Sequence, residues 1–192
     1  MKKAGIVKVV IIVVVLAAIV FAFFFYQGHK ARQQTQTEVV ATVVQSVLLR
    51  DMKYNYPPTP KEVVRYYAEI TECFYNEEYS EEELLQLAAK IQELYDAELI
   101  ANKTQEQYIE DLKLDISKMK QEKYTIASYE VSASTDVEYF TQDGYSCARL
   151  YCTFNLRKGG ATGRAPSLER FLLRQDEAGH WKIMGWELVE DE

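Results

Sequence analysis

Asp96 and Glu98, with the adjacent tyrosines Tyr66 and Tyr67, are the side chains whose types best suit acid–base chemistry in this sequence. Abstracting a proton from carbon needs a carboxylate whose pKa is set by a closed, apolar pocket. Tyr66, Tyr67 and Asp96 are therefore the candidate pocket residues. Core tyrosines and surface acids are the plainer reading of the same positions, so no catalytic residue is assigned. Glu130, Asp136 and Glu138 alternate with apolar neighbours and fall on the opposite, solvated face of a predicted strand.

The remaining reactive residues are sparse. Two His and three Cys leave little material for a metal site, and no metal or cofactor is assigned. His180 adjoins the Asp176-Glu177-Ala178-Gly179 turn and reads as a turn residue. Cys152 lies on an apolar strand face and Cys147 on the other, so they do not bridge one another. Buried free thiols are expected, with a Cys73–Cys152 or Cys73–Cys147 bond as the alternative. The basic, Gly-rich loop Arg157–Arg164 has the ingredients of an anion nest but not the spacing of a phosphate loop. Asn102-Lys103-Thr104 matches a glycosylation sequon but is explained as a loop with a helix-capping Thr.

These residues must be positioned by elements that the sequence marks clearly. Thr59-Pro60-Lys61-Glu62, Ser80-Glu81-Glu82-Glu83 and Thr104-Gln105-Glu106-Gln107 each combine an N-cap hydroxyl with a Glu or Gln three residues on. They open three helices that turn Val63, Tyr67, Ile70 and Phe74, then Leu84, Ala88, Ile91 and Tyr95, then Ile109, Leu112, Ile116 and Met119 inward. After Lys123 the apolar period changes to two. Thr125 to Tyr139 reads as one long strand with the odd-numbered residues inward. Ala148, Leu150, Cys152, Phe154 and Leu156 line the next strand, and strands around 168–175 and 180–188 complete a meander. Helices first and strands after give an α+β class.

The N-terminal segment has a different character. Residues 9–26 are 18 consecutive residues without charge, Pro or Gly, long enough to be a membrane-span candidate. The run ends in Phe23-Phe24-Phe25-Tyr26 rather than a small-x-small cleavage site, which favours an uncleaved anchor over a signal peptide. Residues 1–8 then form a short cytoplasmic tail, 27–53 a helical stalk and 54–192 the α+β domain. The stalk's Val40, Val43, Val44, Val47 and Leu48 recur at helical spacing, either packing on the domain or dimerising weakly. Lys2, Lys3 and Lys8 before the run outweigh Lys30 and Arg32 after it, which orients the domain outside the cytoplasm. Removing those five bases from 22 leaves 17 against 29 acids, −12 over residues 33–192 against −7 for the chain. Such a domain repels phosphate backbones, so nucleic acid is excluded as a partner.

Phe171-Leu172-Leu173-Arg174 and Gly179-His180-Trp181-Lys182-Ile183-x-Gly185-Trp186, following the helices, resemble the closing hairpin of the nuclear transport factor two-like fold. The resemblance covers about residues 58–190 and implies a cone, its helices packed in the concave face of a bent antiparallel sheet. Enzymes of that fold, such as ketosteroid isomerases and scytalone dehydratases, hold an Asp or His base and a Tyr or Asp donor inside the cone. More narrowly, Leu48-Leu49-Arg50-Asp51, Tyr56-Pro57-Pro58-Thr59-Pro60-x-Glu62-Val63-Val64, Cys73-Phe74-Tyr75-Asn76 and Tyr95-Asp96-x-Glu98-Leu99 are similar to an uncharacterised family of small membrane-anchored proteins from anaerobic Firmicutes. That similarity implies a bacterial envelope location and no known activity.

The expected architecture is a transmembrane helix at 9–26, then three helices on a bent antiparallel sheet of about four strands. The expected function is a single-pass membrane protein whose outer domain binds, without catalysis, an envelope protein or a small ligand, with a homodimer possible through the stalk. An isomerase- or dehydratase-type enzyme and an assembly scaffold of a secretion-type complex are the alternatives.

Overall fold

In a computed structural model of the chain, residues 42–160 and 163–189 are described. The chain divides into units Met1–Val40 and Ala41–Glu192, and every described residue belongs to the second. Five helices precede the sheet: α1 Val43–Leu48, α2 Pro60–Asn76, α3 Glu81–Gln92, α4 Ala97–Ala101 and α5 Gln105–Gln121. The side chains of Thr59, Ser80 and Thr104 accept the backbone N–H groups of Glu62, Glu83 and Gln107. Those bonds satisfy donors that each helix start leaves orphaned.

The strands are β1 Tyr124–Val131, β2 Glu138–Gln142, β3 Tyr145–Lys158, β4 Arg164–Gln175 and β5 Trp181–Leu188. They form one antiparallel sheet in which β1 and β2 both pair with β3, followed by β4 and β5. Asp143 and Gly144 turn β2 into β3 with φ of 52° and 84°, the left-handed backbone that a tight hairpin demands. The core gathers the inner face of α2 (Val63, Tyr67, Ile70, Phe74) against Leu150, Cys152, Phe154, Phe171, Leu173 and Ile183 of the sheet.

The fold class expected from the sequence is corrected. The described chain is α+β with five helices and a five-stranded antiparallel sheet, not three helices and about four strands behind a transmembrane helix. Among the described residues no helix is long and apolar enough to cross a membrane. The 9–26 run lies outside the described residues. Of the two additional helices, α1 falls within the expected helical stalk, whereas α4 is five residues long, too short for a 3.6 period to repeat. The single long strand expected over 125–139 is two strands, because Ser134–Asp136 forms a 3₁₀ turn in which the Thr135 hydroxyl donates to Asp136.

Two irregularities set which residues face inward. The β1–β3 register shifts between Ile126 and Ser128, so Ile126 is buried while Tyr129 and Val131 also pack against the core. The β4–β5 register shifts between Leu172 and Leu173, leaving Met184 without a partner. Ile183 and Trp186 thereby both face inward, opposite Leu173 and Phe171.

Two further ties hold the helical half to the sheet. Asn76, at the end of α2, donates to the Ile126 carbonyl at 2.7 Å and accepts the Ile126 N–H at 2.9 Å. The segment 94–96 bonds to the edge of β5 through Asp96 N–H to Ile183 O and Ile183 N–H to Leu94 O, each 2.8 Å, which covers part of an otherwise open edge. The core also reaches upstream of Tyr54. Val44, Val47 and Met52 are buried, and Tyr66 donates its hydroxyl to the Val47 carbonyl at 2.8 Å.

Candidate functional site

Helical spacing places Tyr67, Thr71 and Tyr75 one turn apart along one stripe of α2. That stripe forms the back wall of a cavity of about 300 Å³ between α2, the end of α3, α4, α5 and β5. Tyr95 follows α3, Tyr108 and Leu112 come from α5, and Trp186 enters from β5. The volume is at the lower end of the roughly 300–1,000 Å³ that small-molecule sites occupy.

The lining is dominated by aromatic rings held in one continuous network. Tyr67 lies 5.2 Å from Trp186 and 5.1 Å, edge on, from Phe171. Trp186 stacks across the strands on Phe171 at 6.1 Å and lies 5.7 Å from Tyr95, which meets Tyr108 edge on at 6.4 Å. Offset and edge-to-face pairs of this kind fix ring orientation beyond simple area burial. Burial pushes the Tyr75 and Tyr108 hydroxyls up to about 12, and those of Tyr67 and Tyr95 well above their ordinary value. All four therefore stay protonated across the physiological range and present hydroxyl donors. At the mouth, Asp111 is paired with Lys103 at 2.6 Å, and Asp115 lies 3.7 Å from Lys118.

Glu169 does not line this cavity but carries an unpaired buried polar atom. It sits on β4, two residues from Phe171 on the same inward face, opposite Cys152 of β3. Among the described residues its Oε2 is the one buried side-chain nitrogen or oxygen without a hydrogen-bond partner. Desolvation pushes its carboxyl up to about 7, and its charge contributes to raising the Tyr67 and Tyr75 hydroxyls.

Of the residues expected at a pocket, Tyr67 lines the cavity and Tyr66 and Asp96 stand elsewhere. Tyr66 faces α1, with the Arg50 guanidinium 4.4 Å over its ring. Asp96 caps α4 by accepting the Glu98 N–H, and Arg174 grips both its carboxylate oxygens at 3.0 and 2.7 Å. Glu98 joins the same guanidinium at 2.9 Å. This arrangement pins α4 to β4 and engages both carboxylate oxygens of Asp96 in three structural hydrogen bonds. His180 lies at the β4–β5 turn, its N–H donating to Asp176 and its ring 4.4 Å from that of Tyr56. Cys73, Cys147 and Cys152 are buried and free, and burial pushes the thiols of Cys73 and Cys152 up to about 12. Among the described residues no group of three or more His, Cys, Asp or Glu is placed to hold a metal ion. Ala161 and Thr162 of the Gly-rich loop lie outside the described residues.

The sequence reading missed Trp186 and Glu169. Glu169-x-Phe171-x-Leu173 alternates, so the acid could have been placed on the buried face. Trp186 could not, because strict alternation from Trp181 and Ile183 points it outward.

A family model described as a domain of unknown function (DUF6715) matches residues 1–186. No curated protein matches the chain.

Proposed function

The chain belongs to this domain-of-unknown-function family, and we propose that its α+β domain is a non-catalytic binding module that takes a small molecule into the aromatic cavity. The observation that carries the reading is the convergence of Tyr67, Tyr75, Tyr95, Tyr108 and Trp186 on one cavity of ligand size. Concave, mostly apolar clefts with a few convergent polar groups are the usual form of small-molecule sites. The order of helices and meander supports the likeness to nuclear transport factor two-like domains, in which the enclosed space between helices and sheet is the place for a ligand. The apolar run 9–26 and the surrounding Lys residues support a membrane-tethered, envelope location with the domain outside the cytoplasm.

A proton-abstracting isomerase or dehydratase is the second reading, and Glu169 is the residue that favours it. Its carboxyl, pushed up to about 7, would suit a general base. Glu169 Oε2 has no hydrogen-bond partner, however, whereas a catalytic dyad needs the acid and a donor brought to bear on one reacting atom.

Calorimetric melting of the protein with a panel of small aromatic and aliphatic amines, alcohols and ketones tests the binding reading. A ligand present at about 100 times its Kd stabilises the folded state by about 2.7 kcal/mol, a rise of several degrees for a domain of this size. Leu112→Trp, which fills the cavity, should abolish the rise. A panel that leaves the melting temperature unchanged, or shifts both proteins equally, would refute it. Turnover of a ketone that disappears in Glu169→Gln would establish the enzyme instead.

A further inference from the structure

Resting on the cavity reading above, we infer that the ligand is a neutral cyclic polyol of monosaccharide size, its ring against the aromatic faces and its hydroxyls shared between the inner tyrosines and the polar mouth. Elsewhere in the domain tyrosine hydroxyls are taken up by the fold. Those of Tyr56, Tyr66 and Tyr79 each donate to a backbone carbonyl at 2.8 Å. The cavity's Tyr67, Tyr75, Tyr95 and Tyr108 donate to no carbonyl or carboxylate of the described residues. The partners in reach are hydroxyls of the same lining, Thr71 for Tyr67 and Tyr108 for Tyr95. Among the described residues Glu169 Oε2 is the one buried side-chain nitrogen or oxygen without a partner, so the four tyrosine hydroxyls open onto the cavity rather than being sealed in the core.

The inner tyrosines thus offer protons and lone pairs together. At the mouth, the exposed Asn102, Asp111 and Asp115 offer amide and carboxylate oxygens, and Asp111 gives Lys103 its Oδ2 while keeping Oδ1. A ligand hydroxyl is donor and acceptor at once, so a polyol answers both ends of the cavity. A hydrocarbon of the same shape leaves those groups unpaired as it displaces their water, which carries a desolvation cost. The charges are balanced within the site, since Asp111 meets Lys103 at 2.6 Å and Asp115 lies 3.7 Å from Lys118. The lining therefore calls for no ion. Trp186, 39% exposed, and Tyr95, 5.7 Å from it, present ring faces on which the C–H side of a saturated ring packs. A volume of about 300 Å³ admits one such ring rather than a chain of them.

Methyl glucopyranoside and myo-inositol, set against cyclohexanol, separate hydroxyl content from ring shape. Each is titrated by isothermal calorimetry against the full chain in detergent, with Tyr75→Phe and Tyr108→Phe alongside, which remove a hydroxyl and keep the ring. The inference expects at least one of the two polyols to bind about tenfold more tightly than cyclohexanol. Each Tyr→Phe change should weaken that polyol by roughly three- to tenfold, the worth of one hydrogen bond, and leave cyclohexanol within about twofold. A merely structural role for these tyrosines would move both probes alike. Cyclohexanol binding as tightly as both polyols overturns the inference and leaves the cavity reading standing. Polyol affinity unchanged in both variants overturns it equally, because the hydroxyls then play no part. Heat from neither polyol up to about 20 mM overturns the inference, while the cavity reading is judged separately by the melting panel.

Discussion

Replacing Asp96 should cost stability, because it is the buried half of the ion pair that locks α4 against β4. Its side chain is 6% exposed and that of Arg174 17%. Removing one partner of a buried pair costs roughly 3–5 kcal/mol, chiefly because the other charge is left uncompensated. Here Glu98 remains within 2.9 Å of Arg174, which places the ion-pair loss at the lower end. The lost cap on the Glu98 N–H adds about 1 kcal/mol. Asp96→Ala should therefore destabilise by about 3–4 kcal/mol, and Asp96→Asn, which keeps an oxygen for the cap, by about 1–2 kcal/mol. Urea denaturation of residues 41–192 followed by far-UV circular dichroism measures both. A cycle with Arg174→Met should give a coupling well above the ~0.5 kcal/mol expected of independent sites. A loss under about 1 kcal/mol for Asp96→Ala, or strictly additive single losses, would refute the assignment of Asp96 as a structural clasp.

Further outcomes follow from the same contacts. Glu169 titrates near 7 when folded against its ordinary 4.5, so between those values the folded state binds more protons and stability falls as pH rises. The loss saturates above pH 7 at no more than about 3 kcal/mol, and Glu169→Gln should recover most of it at pH 8 and none at pH 4 in urea titrations. A chain beginning at Tyr54 should be less stable than one beginning at Ala41 by roughly 4 kcal/mol, since it exposes the pocket vacated by Val44 and Val47 and strips the Tyr66 hydroxyl of its acceptor. Equal denaturation midpoints would show that α1 contributes nothing. Cys73, Cys147 and Cys152 should resist a thiol reagent under native conditions and react together at the rate of unfolding; fast reaction of any one would contradict its burial. The full chain should sediment with membranes and resist alkaline carbonate if residues 9–26 partition into lipid, whereas recovery in the soluble fraction would remove the proposed tether.

Helix starts were legible because their signals are local. A hydroxyl at Thr59, Ser80 or Thr104 and the residues just after it decide the cap without reference to the rest of the chain. The buried stripe of α2 and the inner face of β3 were legible for the same reason, through period alone. The two register shifts were not, because a residue such as Ala127 or Met184 is compatible with either parity and only pairing with the neighbouring strand decides. That uncertainty reached the site itself, since the shift at Met184 is what turns Trp186 inward. Asp96 illustrates the converse. Its type suited catalysis, but its fate depends on Arg174, 78 positions away. No spacing in the sequence announces that pair.

The most direct test of the central claim is the pair of tryptophan indole N–H resonances. Trp186 lines the cavity, while Trp181 packs against Tyr139. Titrating the amine, alcohol and ketone panel into nitrogen-15-labelled protein should shift the Trp186 signal saturably and leave that of Trp181 in place. Saturable shifts confined to Trp181, or no shift of either signal across the panel, would contradict a ligand site between the helices and β5.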